Sequence, residues 1–208
     1  DGFFGEEETR WHIFADGVFQ MSEGWRWGFG SQATSGDLYL RRYDYTERPE
    51  RGLGLHDPGT RRLGNQIYLQ GQGDYFYTDV SAMKIQSLLT TQNDDELPLI
   101  APFVRAEADL PLFDWAGRLE MNFSAVSLRR EDGDDYARVS IGGEWKRPTI
   151  LPFGLYAEPY AFSRFDAYRL NDTDNNGNTI NTTNFTRGLS AVGADFRWPF
   201  MRPGRIAD

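Results

Sequence analysis

The 208-residue chain has no cysteine. That removes disulfide scaffolds, thiolate zinc sites and thiol catalysis. Its two histidines are too few for a three-His metal centre. Basic residues are in deficit: 22 Lys and Arg against 31 Asp and Glu give a net charge of −9. A general nucleic-acid binder needs a basic face for phosphates, so no nucleic-acid partner is expected. No apolar run reaches the roughly 18 residues that a spanning helix needs. Helical periodicity is weak throughout, with Ala82–Leu89 the one stretch that supports it. No basic segment followed by an apolar one reads as a signal peptide. The chain opens in mid-pattern at Asp1-Gly-Phe-Phe-Gly5 and stops at Arg205-Ile-Ala-Asp208, which reads as a segment of a longer protein.

What the chain has in excess is glycine, at 22 residues, and aromatics, at 15%. Together they favour strands joined by tight turns. The dominant signal is alternation. In Ala137–Arg147 the odd positions are Ala137, Val139, Ile141, Gly143 and Trp145, and the even ones Arg138, Ser140, Gly142, Glu144 and Lys146. Leu119, Met121, Phe123 and Ala125 likewise oppose Arg118, Glu120, Asn122 and Ser124. Val104, Ala106, Ala108 and Leu110 oppose Arg105, Glu107 and Asp109. Val192, Ala194, Phe196 and Trp198 oppose Gly193, Asp195 and Arg197, and Trp25, Trp27 and Phe29 oppose Arg26, Gly28 and Gly30. The pattern predicts ten strands, near 9–20, 24–33, 37–46, 63–71, 74–84, 100–110, 117–129, 136–147, 154–169 and 186–198.

In an up-and-down meander successive connections fall on opposite rims. One rim receives Ser22–Gly24, Glu47–Arg62, Ile85–Pro98, Arg130–Asp135 and Leu170–Phe185, which are polar and mostly long. The other receives Thr34–Gly36, Gly71–Gly73, Pro111–Ala116 and Pro148–Pro152, which are short and rich in Pro and Gly. Long loops on one rim and short turns on the other are the layout of an outer-membrane barrel. A soluble sandwich also alternates. Three features favour the barrel. The strands suit a tilted crossing of about 9–11 residues better than the usual 5–6. The polar face carries both signs of charge. Aromatics gather at strand ends, as interfacial girdles require: Trp25, Trp27, Trp115, Tyr136, Trp145, Phe153, Trp198 and Phe200.

The fold class expected is therefore all-β: an antiparallel up-and-down meander, the arc of a large transmembrane β-barrel spanning residues 1–208 as one segment. Lipid-facing or girdle positions are Trp25, Trp27, Phe123, Val139, Ile141, Trp145, Phe196 and Trp198. Lumen-facing positions are Arg105, Glu107, Asp109, Arg118, Glu120, Arg138, Glu144, Lys146, Arg164, Asp166, Asp195 and Arg197. The bland alternative for the cations among them is that they merely neutralise Glu107, Glu120, Glu144, Asp166 and Asp195. A lumen of mixed charge needs a wide barrel.

Motifs of other chemistries are weak. Gly28-Phe-Gly30-Ser-Gln-Ala33 matches a dinucleotide fingerprint, but a strand pattern follows where a helix should open. Asp172–Asn178 resembles half of a calcium loop, with Thr183 where a bidentate Glu belongs, and reads as a polar surface loop. Glu107/Asp109 fit a solvated lumen, and Asp134/Asp135 a turn, better than acid–base work. His12 falls on a polar strand face and His56 in a loop. No catalytic residue, metal or cofactor is expected, and no enzyme activity.

Several stretches stand in order along the chain: Trp25-Arg-Trp with Ser35-Gly-Asp-Leu-Tyr-Leu-Arg-Arg-Tyr43, Asp74-Tyr-Phe-Tyr-Thr-Asp-Val-Ser81, and Leu97-Pro-Leu-Ile-Ala-Pro102. Glu144-Trp-Lys-Arg147, Pro152–Tyr160 and Gly193-Ala-Asp-Phe-Arg-Trp-Pro-Phe200 follow. Together they resemble the lipopolysaccharide-assembly outer-membrane protein family (LptD, organic solvent tolerance), in its alphaproteobacterial form. The resemblance implies a very large barrel in the bacterial outer membrane, preceded by a periplasmic jelly-roll. It also implies lipopolysaccharide as cargo, a plug lipoprotein in the lumen, periplasmic bridge proteins that deliver the cargo, and outer-membrane lipid around the wall. A nutrient or siderophore channel is the alternative within barrels, and a glycan-binding β-sandwich the alternative outside them.

Overall fold

The computed structural model describes residues 9–43, 53–57, 59, 61–113, 115–174 and 178–199. The strands are β1 (His12–Ser22), β2 (Trp25–Thr34), β3 (Arg62–Gln72), β4 (Phe76–Ser87) and β5 (Leu99–Pro111). They continue as β6 (Arg118–Arg129), β7 (Asp135–Lys146), β8 (Thr149–Leu151), β9 (Leu155–Thr173) and β10 (Thr179–Arg197). All belong to one antiparallel sheet in the order β1-β2-β3-β4-β5-β6-β7-β9-β10, with β8 against β9. β8 prolongs the line of β7: Lys146 stands opposite Tyr160 and Thr149 opposite Ala157. Among the described residues β1 pairs with β2 alone and β10 with β9 alone, so the sheet is open at both sides. A sandwich needs a second sheet, and among the described residues there is none.

Tight turns set the meander. Gly24, between β1 and β2, has φ +76°, and Gly117, before β6, has φ +86°. An L side chain at either would be strained. At both, a Cβ would also strike a neighbouring strand's carbonyl, that of Gln72 or of Lys146. β5 carries Pro102 at a register shift between Ile100 and Phe103, where a missing N–H does not interrupt the ladder.

Three expectations need correction. The strand expected over 37–46 is absent: Tyr39–Arg42 form a helical turn, α1, and 44–46 lie outside the described residues. β2 pairs directly with β3, Gly28 opposite Tyr68, which leaves no place for a strand between them. The spacing of Leu38 and Leu40 is short enough to fit either state, and Leu40 is buried from the helical turn. Ala82–Leu89 is not helical; β4 runs to Ser87. Within the polar run 171–184, residues 171–173 end β9 and residues 179–184 open β10. Asn, Thr and Asp pair between the two: Asn181 Nδ2 donates to Asp172 (3.2 Å) and Thr182 Oγ1 to Asn171 (3.1 Å).

These corrections re-sort the rims. Turns 23–24, 73–75, 112–117 and 152–154 share one rim; connections 35–61, 88–98, 130–134 and 174–178 share the other. The Ser22–Gly24 turn therefore moves to the short rim, and Thr34–Gly36 merges with Glu47–Arg62 on the long one. At that long rim Asp37 and Asp94, from two different connections, approach each other. Burial, with the Asp94 charge adding, pushes the Asp37 carboxyl above its ordinary value.

Burial is inverted relative to a water-soluble fold. Ser140 is 2% exposed, while its neighbours Val139 and Ile141 are 46% and 49% exposed. Asp166 is 1% exposed beside Phe165 at 49%, and Asp79 2% beside Val80 at 40%. The sheltered face is the polar one. The buried aliphatics Leu40, Leu53, Leu63 and Leu97 sit near the long rim, not across the middle of the sheet. No helix among the described residues is long and apolar enough to cross a membrane.

Candidate functional site

Register decides which side chains share a face. Asp79 stands opposite Arg105, Arg105 opposite Ser124, Ser124 opposite Ser140, Ser140 opposite Asp166 and Asp166 opposite Arg187. Counting in twos from this row places Arg105, Glu107, Asp109, Arg118, Glu120, Arg138, Glu144, Lys146, Arg164, Asp166, Asp195 and Arg197 on one face. The same count places Trp27, Phe123, Val139, Ile141, Trp145, Phe196 and Trp25 on the other, with Trp198 following β10 on that side.

The polar face is laced by ion pairs. Residues two apart on one strand meet: Arg105–Glu107 (2.7 Å), Arg118–Glu120 (2.7 Å), Lys146–Glu144 (2.8 Å) and Arg164–Asp166 (3.0 Å). Others cross strands: Arg118–Asp109 (2.8 Å) and Arg187–Asp166 (2.9 Å). Most of these groups are half-exposed, so the pairs are water-screened and easily exchanged for a passing ligand. Arg138 differs: its Nε is buried without a hydrogen-bond partner. Arg197 lies over the Tyr156 ring at 5.8 Å, and Asp195 faces Glu158 across the ladder. The face can therefore offer both signs of charge and abundant donors.

A second feature was not legible in the sequence. Residues Leu53–Asp57 of the long β2–β3 connection fold back over the polar face as a strap. Gln66 of β3 holds it with a fully used amide. Its Oε1 accepts from the N–H groups of Leu55 and His56, both at 2.8 Å. Its Nε2 donates to the carbonyls of Leu53 (3.1 Å) and His56 (2.7 Å). His56 Nε2 lies 3.1 Å from Ser81 Oγ and 3.9 Å from the buried Asp79, and its ring meets Phe103 edge-on at 5.3 Å. Gly30 makes the approach possible. A Cβ there would sit 2.6 Å from the Leu53 carbonyl carbon and 2.7 Å from Gly54 N. The glycines of Gly28–Ala33 thus serve backbone approach, inside β2, rather than a nucleotide.

Gly30→Ala sets a methyl against backbone, an overpacking worth about 1–3 kcal/mol. We expect hydrogen exchange at Leu55 and His56 to rise roughly tenfold, with β2 still protected. Unchanged exchange at those amides would remove the close contact from consideration.

The remaining candidates resolve simply. Asp134 Oδ1 accepts from Thr173 N–H and Asp135 Oδ1 from Arg130 N–H, both at 3.0 Å, so these carboxylates clamp turns. Asp174 Oδ1 accepts from Asn178 N–H at 2.8 Å, and residues 175–177 of that turn lie outside the described residues. No trio of His, Asp or Glu among the described residues is grouped to hold a metal. His12 Nδ1 lies 3.3 Å from the Tyr39 hydroxyl. Trp25, Trp27, Trp115, Trp145 and Trp198 gather toward the short rim, where Trp145 Nε1 donates to Ala116 O (2.7 Å) and Trp198 Nε1 to Phe153 O (3.1 Å). Tyr136 instead lies on the ion-paired face near the long rim, paired with Leu170, and Phe200 lies outside the described residues.

No curated protein matches the chain. A match to the family described as LptD, LPS transport system D, runs over residues 8–208, nearly the whole sequence. That family works in lipopolysaccharide transport at the outer membrane and is a transport and assembly family, not an enzyme family. With its strand-built sheet and its family match over nearly all its length, the chain belongs to the LptD family.

Proposed function

We propose that residues 1–208 form one arc of a larger closed barrel in the bacterial outer membrane, and that this arc lines the lumen serving lipopolysaccharide insertion. The apolar face meets outer-membrane lipid. The ion-paired face, from Arg105 through Arg197, lines a wet interior wide enough for sugar and phosphate head groups. Arg105, Arg118, Arg138, Lys146, Arg164 and Arg197 are the groups that meet phosphates or the plug lipoprotein's acidic surface. Periplasmic bridge proteins deliver the cargo to the short rim, and the long connections face outward.

The inverted burial carries this reading. A protein in water shelters Ile141 and exposes Ser140; here the order is reversed. In lipid that reversal is favourable, because only the wall needs to be apolar. The open sides of the sheet support the larger barrel, since unpaired strand edges are not tolerated in the hydrocarbon region.

The absence of cysteine supplies the test. Single cysteines from Ala137 to Lys146, in the full-length protein and intact outer membranes, are probed with a water-soluble thiol reagent. Labelling at positions 138, 144 and 146, with odd positions protected, is expected; 140 and 142 are sheltered within the sheet and are left out of the comparison. Uniform labelling, or recovery of the protein from the soluble fraction, would overturn the membrane arc.

A further inference from the structure

The outward face changes chemistry toward the long rim. The row Val80–Val104–Ala125–Val139–Ala167 is aliphatic. One row further stand Ser127, Ala137, Arg169 and Asn184. The next holds Lys84, Leu99 and Arg129, then Asp135 with Asn171. Lys84, Arg129 and Arg169 are exposed, and all three are on the apolar face, not on the ion-paired one. Nothing about a wet lumen asks for cations there.

Two clefts meet at Arg169. One, of about 340 Å³, is lined by Ser127, Arg129, Asp135, Arg169 and Asn171. The other, of about 390 Å³, continues toward mid-sheet along Ala137, Val139, Ala167 and Thr186. The first is polar and cationic, the second mainly apolar. Arg169 is steadied by Nε donating to Asn171 Oδ1 (3.1 Å), a neutral partner that leaves its charge available. Arg129 faces Leu99 across the ladder. The carboxylate of the cleft, Asp135, is engaged by the Arg130 N–H. Lys84 pairs with Glu131 at 3.5 Å, with both side chains well exposed, so that pair opens readily.

We infer that Arg129 and Arg169 form a binding site on the outer wall for the phosphate-bearing head group of a membrane lipid in the outer leaflet. An acyl chain of that lipid lies along the Ala137–Val139–Ala167 groove. The site rests on the proposed membrane orientation but is separate from the lumen and from transport through it. Its logic is placement: a guanidinium pair where apolar wall gives way to polar rim sits at the depth of lipid phosphates. Charge complementarity selects an anionic head group, and the continuous apolar groove selects a lipid over free phosphate.

The experiment places the full-length protein in phosphatidylcholine nanodiscs containing a trace of spin-labelled phosphatidic acid or, separately, spin-labelled phosphatidylcholine of the same chains. The motionally restricted fraction reports which lipid lingers at the wall. We expect a preference for phosphatidic acid of roughly fivefold per engaged cation. It should vanish in the Arg129→Ala/Arg169→Ala double variant, survive in Arg129→Lys/Arg169→Lys, and grow in Asp135→Asn. Equal restriction of both lipids, or a preference unchanged in the double alanine variant, overturns the site. Loss of the preference on adding millimolar orthophosphate overturns the lipid as its ligand in favour of free phosphate. If the protein fails to enter the discs, the membrane arc itself is wrong and the site falls with it; insertion without preference sinks the site alone.

Discussion

Replacing Ile141 with arginine is expected to cost about 2–4 kcal/mol of folding free energy in lipid vesicles. Ile141 stands in the row Phe123–Ile141–Phe165, between the Trp145 end and the Arg169 end of the outward face. On the proposed membrane orientation that is mid-wall, where a guanidinium has neither water nor a partner. The sign of the effect is what makes the substitution informative. Ile141 is half-exposed, so if this face met water an arginine there would be near neutral. Asn122→Arg, opposite Glu107 on the ion-paired face, gains a carboxylate neighbour and is expected to cost little. Urea titrations of the full-length protein refolded into phosphatidylcholine vesicles compare the two. A large loss at 141 with little at 122 fits a lipid-facing wall; equal small effects would return the outward face to water.

Such a contrast rests on parity, and parity was the part of the fold most legible in the chain. A strand side chain needs no long-range information to choose its face, because successive residues alternate by backbone geometry alone. Once β7 is recognised from Ala137–Lys146, Ser140 and Ile141 must lie on opposite sides whatever the register. The same local rule made the pairs Arg105–Glu107, Arg118–Glu120, Lys146–Glu144 and Arg164–Asp166 readable, since residues two apart on one strand are neighbours. Arg187–Asp166 and Arg118–Asp109 were not readable. They depend on how β10 and β5 are set against their neighbours, and register is fixed by turns and packing rather than by pattern.

The misread segments share a cause. Alternation is a signal only where one face is apolar. Residues 171–173 and 179–184, Ile180 apart, are polar on both faces, so the β9–β10 hairpin, with strands of 19 residues, extends beyond the apolar part of the sheet. The pattern vanished there while the ladder continued. The reverse error occurred at 37–46, where Leu38 and Leu40, two apart in a connection, imitated a strand. The family resemblance over nearly the whole chain came through intact, because it rests on residues in order, not on any one boundary.

The strap was invisible for a different reason. Its anchor, Gln66, is an ordinary polar residue in an alternating strand, and its significance lies wholly in what a distant segment brings to it. Gln66→Ala removes four hydrogen bonds at once. At a net ~0.5–1.5 kcal/mol each, docking of the strap loses roughly 2–6 kcal/mol, while the β-ladder of β3, which uses backbone groups, is untouched. Leu55→Cys is a clean reporter because no native cysteine competes. In intact outer membranes we expect labelling of this introduced thiol by a bulky water-soluble reagent to accelerate at least tenfold in the Gln66→Ala background. Gln66→Glu separates the two halves of the amide. It keeps acceptors for the N–H groups of residues 55 and 56 but turns a carboxylate on the Leu53 and His56 carbonyls, so it should not restore slow labelling. If Glu does restore it, the acceptor half suffices and the donations to Leu53 and His56 are incidental. If neither variant changes the rate, the strap is held by Leu53 packing over Gly30, and the Gly30→Ala variant becomes the one that must release it.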